Sequence, residues 1–324
     1  MKKRLVVQGR LSDAQLDTLN DLFKVDVLPK PSALDAPENR AVLAGAQGII
    51  GSGLAITPAL LDAALELEVI ATISVGYDNI PVDELTRRGI MLCNTPDVLT
   101  ETTADTGFTL IMATARRAVE LAEWVKAGHW QSSIGPDRFG SDVHGKTLGM
   151  VGFGRIGQAV ARRGALGFGM QVLYSNASPK PTLEKELSAQ RRELNELLAE
   201  ADFVCVTVPL TADTERLIGA REFARMKPSG IFINIARGKV VDEHALIHAL
   251  ENGVIHAAGL DVFEQEPLPA SSPLPKMPNV VALPHIGSAT HETRDAMAQR
   301  AVDNIRLALQ GERPISLVNE ELWH

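Results

Sequence analysis

The sequence predicts an α/β protein of two domains, each built on a doubly wound parallel sheet. Short apolar runs with strand character alternate with helical stretches from the N-terminus onward, which is the pattern of a parallel sheet. The chain of 324 residues is also long for a single core. Its one Gly-x-Gly-x-x-Gly fingerprint, Gly152 to Gly157, falls near the middle, between a strand and a helix. Only the second half therefore carries a phosphate-binding device.

In the first half, Leu5-Val6-Val7 reads as a strand, and Ser12-x-x-Gln15 as a capping box opening a helix to about Phe23. Val25–Leu28 and Gly48–Gly51 follow as strands. Thr57-Pro58 combines an N-cap with proline at the first helical position, opening a helix over Ala59–Leu65. Val69–Thr72 and Ile90–Cys93 complete five strands. From Thr100 to about Ala127 there is no proline, and Ala104, Phe108, Ile111, Met112 and Ala115 recur at helical spacing. One long connecting helix is expected there.

The second half should hold six strands: Leu148–Val151, Gln171–Tyr174, Phe203–Val206, Ile231–Asn234, His256–Gly259 and Val280–Leu283. Gln158–Leu166 reads as the helix after the fingerprint and His291–Leu309 as the last long helix. Gly152 permits a tight turn, Gly154 lets backbone approach a pyrophosphate, and Gly157 lets the helix pack on the strand. The helix N-terminus then holds the phosphates of a dinucleotide. Three polar clusters lie just past strand ends, where open α/β sheets bind ligands: Asn234 to Gly238, Asp261 to Pro267, and Pro284 to Ser288. They bring an Arg, a Glu (Glu264 or Glu266) and a His to one crevice. An Arg binds a carboxylate at two points, and a His–Glu pair gives a proton donor held in one tautomer.

With 45% apolar and 22% charged residues, disorder is excluded; a net charge of −8 argues against nucleic acid or anionic membrane as a main partner. There is no signal-peptide pattern or membrane-length apolar stretch. Both cysteines, Cys93 and Cys205, lie in strand-like runs and read as reduced thiols, so a cytoplasmic location is expected. No metal site is expected.

Taken together, Gly152–Gly157, Asn234–Gly238, Asp261–Pro267 and Pro284–Ser288 resemble the D-isomer-specific 2-hydroxyacid dehydrogenase family. Thr72–Asn79, Leu99–Asp105 and His285–Arg294 are similar to its glyoxylate/hydroxypyruvate reductase branch, whose bacterial members also reduce 2-ketogluconate. The resemblance implies a flavodoxin-like substrate domain over residues 1–99 and 286–324, a Rossmann cofactor domain over 100–285, and long crossing helices between them. It implies a homodimer, with Thr100–Ala127 and the following loop at the interface and the 130–139 loop reaching toward the partner's site. The catalytic set falls on Arg237, Glu266 (the Glu directly before Pro267) and His285. The Val75 and Gly76 N–H groups match a second carboxylate anchor, and Ser288 a substrate contact. Cofactor positions fall on Thr103, Arg155, Ile156, Val208, Pro209, Thr214, Ile235, Ala236, Asp261, His285 and Gly287, beside Gly152, Gly154 and Gly157. A phosphoglycerate dehydrogenase-like enzyme, a formate dehydrogenase and a dinucleotide-sensing co-repressor are the alternatives. Glu266 argues against the second, and the third usually has disordered tails, none of which is expected here.

Cofactor choice is read from the end of Gln171–Tyr174. NAD sites place an acid about 20 residues past the glycines to accept from the ribose 2′-OH. Here Ser175 fills that place and no acid occurs before Glu184. Ser175 and Asn176 can donate to a 2′-phosphate and Lys180 adds a cation, so NADPH is expected to be preferred, with NADH still usable. Many members of the branch carry an Arg near Ala177, which is missing here.

Overall fold

The computed structural model describes residues 1–9, 11–28, 34 and 36–323. It contains two compact units, one formed by Met1–Leu99 with Ala289–His324 and the other by Thr100–Ser288.

The first unit is a five-stranded sheet of β1 (Arg4–Gln8), β2 (Lys24–Leu28), β3 (Gly48–Gly51), β4 (Val69–Thr72) and β5 (Met91–Cys93). All its pairs are parallel, in the order β2-β1-β3-β4-β5, the flavodoxin-like winding. Helix Asp13–Leu22 starts where the capping box places it: Ser12 Oγ accepts from the Gln15 N–H at 3.4 Å, and Gln15 Oε1 accepts from the Ser12 N–H at 3.0 Å. Thr57 Oγ1 likewise accepts the Leu60 N–H at 3.2 Å, one turn into helix Pro58–Ala63.

One face of this sheet is covered by helix His291–Leu309, whose Ala301, Val302, Ile305 and Leu309 pack on Leu5, Val7, Val69 and Ala71. The segment after that helix closes the β5 edge. Leu317 bridges Cys93 in antiparallel fashion, and the Val318 N–H donates to Leu92 O at 2.7 Å. The Asn319 side chain then continues the ladder, accepting from the Leu92 N–H at 2.8 Å and donating to Ile90 O at 2.9 Å. Fully buried Asn304 donates to Asn94 O and accepts from the Ser316 N–H, each at 3.0 Å.

The second unit has seven parallel strands: β6 (Thr147–Val151), β7 (Gln171–Ser175), β8 (Gln190–Arg191), β9 (Phe203–Val206), β10 (Ile231–Asn234), β11 (Ala257–Leu260) and β12 (Val280–Ala282). Their order is β12-β11-β10-β9-β6-β7-β8. Strand β6 thus lies at the switch point between the two halves, and the glycine fingerprint follows it there.

Three expectations are corrected. The sheet has seven strands, because the two-residue edge strand β8 is polar and exposed and carries no alternation to read. The Thr100–Ala127 helix is two helices, Thr100–Ala115 and Ala118–Lys126, with Arg117 between them in the left-handed region (φ 53°). No Gly or Pro marks the break; its cause is tertiary. The Ser141 N–H takes the Ala115 carbonyl at 2.7 Å, and Gly140 sits so close that a Cβ there would lie 2.4 Å from that oxygen. The helix after the fingerprint begins earlier, at Arg155, and its α-helical part ends at Arg162, continuing as a π turn over Arg163–Gly167.

Among the described residues no helix is long and apolar enough to cross a membrane, and no cluster of His, Cys, Asp or Glu could hold a metal ion. Both cysteines are unbridged and buried, and burial pushes each thiol up to about 12.

Candidate active site

The second unit gathers the predicted clusters at the C-terminal ends of its strands. Past β6, Gly152 has φ 93°, and a Cβ there would lie 2.8 Å from the Val208 nitrogen, so the turn admits only glycine. Its carbonyl accepts from Thr207 Oγ1 at 2.9 Å. A Cβ on Gly157 would meet that same carbonyl oxygen at 2.5 Å, which is how closely helix Arg155–Arg162 packs on the strand. Gly154 is the opposite case: nothing lies within 4 Å of where its Cβ would be. It is the N-cap of that helix and supplies no side chain to the first-turn N–H groups of Arg155 and Ile156. An open cradle at a helix N-terminus fits a pyrophosphate.

The rest of the proposed cofactor set lines the neighbouring strand ends. Pro209 O accepts from Thr214 Oγ1 at 2.6 Å, closing the loop that begins at Val208. Past β7, the Ser175 carbonyl accepts the Gly152 N–H at 2.9 Å. Asn176 proves to be a turn builder. Its Oδ1 accepts the Phe153 N–H at 3.0 Å, and its amide nitrogen donates to Ser178 O at 2.9 Å. The Lys180 N–H donates to the Tyr174 hydroxyl at 2.9 Å, and that hydroxyl donates to Glu184. The first acid after β7 is thereby engaged away from the turn.

Past β10, buried Asn234 shapes the arginine's turn. Its Oδ1 accepts the Ala236 N–H and its amide donates to Arg237 O, both at 3.0 Å. Ile235 and Ala236 are buried beneath, Ile235 against Gly107 of helix Thr100–Ala115. Arg237 Nη1 donates to Ala236 O at 2.8 Å. The next residue, Gly238, presses on the following cluster: a Cβ there would be 1.8 Å from the Phe263 carbonyl carbon and 2.3 Å from the Glu264 nitrogen.

Past β11, Asp261 is almost wholly buried and binds the third cluster with both oxygens. Oδ1 accepts the Ile286 N–H at 2.7 Å and Oδ2 the Gly287 N–H at 2.8 Å. Burial pushes this carboxyl above its usual range, against the opposing effect of those two bonds. Thr103 lies in the same pocket, with its side chain 3.3 Å from where a Cβ on Gly287 would stand. Ser288 follows, half-buried.

Glu266, rather than Glu264, faces the histidine. Its Oε2 is 2.7 Å from His285 Nδ1, and its Oε1 accepts the Phe263 N–H at 3.0 Å. Glu264 instead reaches Arg216 at 3.4 Å. Burial raises the Glu266 carboxyl, but the His285 hydrogen bond, the Phe263 N–H and the charges of His285 and Arg237 outweigh it. The group stays below the usual carboxylate range. His285 holds φ 54°, a left-handed conformation uncommon for a side-chain-bearing residue, with its N–H on Leu283 O at 3.0 Å. A cavity of about 550 Å³, lined among others by Phe263, Leu268, Pro275 and Leu283, borders the pair.

Val75 and Gly76 belong to the first unit, in the loop after β4, where Asn94 Nδ2 donates to Val75 O at 2.9 Å. Sequence reasoning missed Asn94 and Thr207, and placed Asn234 in its cluster without the turn-building role. Nothing local marks the first two, and an Asn closing an apolar strand is the signal for the third.

Residues 108–287 match the model of the NAD-binding domain of the D-isomer-specific 2-hydroxyacid dehydrogenases. The chain belongs to that family. Within this dehydrogenase family it is 53% identical over 322 residues to glyoxylate/hydroxypyruvate reductase B of Escherichia fergusonii, covering 99% of each chain. Among solved structures, a glyoxylate reductase from Paecilomyes thermophila superposes with a TM-score of 0.90 at 32% identity, over 99% of both chains. The NADPH-dependent glyoxylate/hydroxypyruvate reductase of Sinorhizobium meliloti, in complex with NADP and malonate, gives 0.87 at 35% identity, over 99% of this chain and 98% of that one. The chain is thus a nicotinamide-dependent oxidoreductase of the glyoxylate/hydroxypyruvate reductase branch.

Proposed function

We propose that this dehydrogenase reduces a small 2-oxoacid, such as glyoxylate, hydroxypyruvate or 2-ketogluconate, to the D-2-hydroxyacid, with NADPH preferred over NADH. The observation that carries the reading is the 2.7 Å contact between Glu266 Oε2 and His285 Nδ1, beside the strand end that presents Arg237. A bound reduced nicotinamide supplies hydride to the substrate carbonyl carbon. Arg237 holds the substrate carboxylate in a planar two-point contact and draws electron density from the adjacent ketone. Glu266 accepts a hydrogen bond from Nδ1–H, which directs Nε2–H toward the substrate and stabilises the imidazolium. His285 then gives the Nε2 proton to the ketone oxygen as the alkoxide develops. Val75 and Gly76 N–H groups are a second carboxylate anchor, and Ser288 a further substrate contact. Residues 1–99 with the returning C-terminal segment form the substrate domain in this reading. Residues 100–285 bind the cofactor, and the enzyme is a cytoplasmic homodimer.

The preference for NADPH rests on Ser175 standing where an acid would otherwise be, and on Glu184 bonding the Tyr174 hydroxyl. The sequence relative and both solved reductases support the reaction class. Steady-state kinetics with a panel of 2-oxoacids and both cofactors tests the whole reading. His285→Ala should lower kcat about 10²–10⁴-fold while cofactor binding persists. A His285→Ala enzyme within a few-fold of wild type would sink the assignment.

A further inference from the structure

The edge strand β8 places an unneutralised arginine against the turn that decides cofactor choice. Register pairs Arg191 with Tyr174, one residue before Ser175. Arg191 Nη2 donates to the Asn176 carbonyl at 3.1 Å and to the Ala177 carbonyl at 3.3 Å. The charge is thereby carried to the turn past β7, where a ribose 2′ substituent sits in a Rossmann sheet. Both bonds use a single nitrogen, which leaves the N–H groups of Nε and Nη1 for an anion.

Its neighbour Arg192 shows the contrast. Arg192 is committed to Glu200 at 3.1 Å and to Gln190 at 2.7 Å. No carboxylate pairs with Arg191 among the described residues, although it lies exposed beside the turn. Glu184, the nearby acid, is taken by the Tyr174 hydroxyl. The Asn176 amide nitrogen donates to Ser178 O at 2.9 Å and carries no charge, so it offers a phosphate at most one neutral donor. A cation without a counter-ion, a loop amide already engaged on one side, and an alanine at position 177 together leave the Arg191 guanidinium as the planar charged fork at this spot, with the Lys180 ammonium on the same turn.

We propose that Arg191 is the residue that selects the 2′-phosphate of the adenine ribose. It reaches the pocket from β8 and so supplies, from a separate element, the guanidinium that the turn itself lacks at Ala177. This proposal rests on the NADPH-preferring reading above. The carbonyl contacts pre-orient the guanidinium, so little side-chain freedom is lost when the phosphate arrives.

Calorimetric titration of NADP, NAD, 2′,5′-ADP and 5′-AMP into wild type, Arg191→Gln and Arg191→Lys tests it. Gln carries no charge and stops short of the turn carbonyls, so unchanged binding of NAD and 5′-AMP is what shows that the turn survives and that only phosphate binding is lost. Arg191→Gln should weaken NADP and 2′,5′-ADP by about ten- to hundredfold and leave NAD and 5′-AMP within about twofold. Arg191→Lys should fall between Gln and wild type. A Gln variant that keeps the wild-type NADP/NAD ratio, whether by losing both cofactors equally or neither, overturns the role of Arg191. A wild type that binds NAD at least as tightly as NADP overturns the NADPH reading itself, whatever Arg191 does.

Discussion

Gly238→Ala should disable the enzyme without touching any group that does chemistry. A Cβ at position 238 would stand 1.8 Å from the Phe263 carbonyl carbon, 1.9 Å from its oxygen and 2.3 Å from the Glu264 nitrogen. All three are backbone atoms, so no side chain can swing aside. To reach an ordinary 3.4 Å contact, the two segments must separate by about 1.6 Å. That movement has only poor places to go. Phe263 is buried, and its N–H holds Glu266 Oε1 at 3.0 Å, while Glu266 holds His285 at 2.7 Å. On the other side, Arg237 is tied to Asn234 at 3.0 Å. Overpacking of this kind costs typically about 1–3 kcal/mol, and a misplacement of about 1 Å can cost on the order of 10²-fold in rate. We expect kcat/KM for 2-oxoacid reduction to fall at least roughly 100-fold and the melting temperature by a few degrees. Thermal unfolding followed by circular dichroism, run beside the kinetics, reads both. A Gly238→Ala enzyme that folds and retains activity within a few-fold would show that the two clusters need not be held at this separation, and the catalytic trio would lose its geometric basis.

Two further outcomes follow from other contacts. The Glu266 carboxyl lies below the usual carboxylate range, so its folded-state contribution is present above that range and lost as pH falls through its lowered value. Glu266 should therefore stay ionised down to more acid pH than an ordinary glutamate, whereas Glu266→Gln should draw the alkaline limb of the reduction profile to lower pH, because the imidazolium loses its anionic acceptor; a pH–rate series on both enzymes checks this, and an unmoved limb would detach Glu266 from the proton donor. Asn319→Ala leaves the Leu92 N–H and the Ile90 carbonyl without their side-chain partner in a buried setting, which should cost about 2 kcal/mol or more and lower the melting temperature by roughly 5–10 °C with little change in KM; unaltered melting would mean that the edge is not held there.

The glycine fingerprint, the capping box at Ser12 and every strand except β8 needed no more than local pattern, because each depends on a few adjacent residues. Glu266 was separable from Glu264 by family resemblance alone; in space the two part clearly, one to His285 and one to Arg216. What remained illegible was decided by residues far apart in the chain. The helix break at Arg117 comes from Ser141, the closure of β5 from Asn319, and the shape of the Gly152 turn from Thr207. Arg191 belongs with these: in the sequence it is one of two adjacent arginines in a polar run, and only pairing with Tyr174 gives it a place.

The stitching of residues 316–319 onto β5 has a consequence for synthesis on the ribosome. The unit Thr100–Ser288 is contiguous, so all of its own strands are available once that span has left the ribosome. The other unit begins first and finishes last. Until Leu317 to Asn319 arrive, Leu92 presents an unpaired backbone edge, and the sheet face that takes Ile305 and Leu309 is bare. A nascent chain paused once residue 288 has cleared the ribosome would thus display a sticky strand edge tethered to a finished domain, a form suited to capture by chaperones or by another such chain.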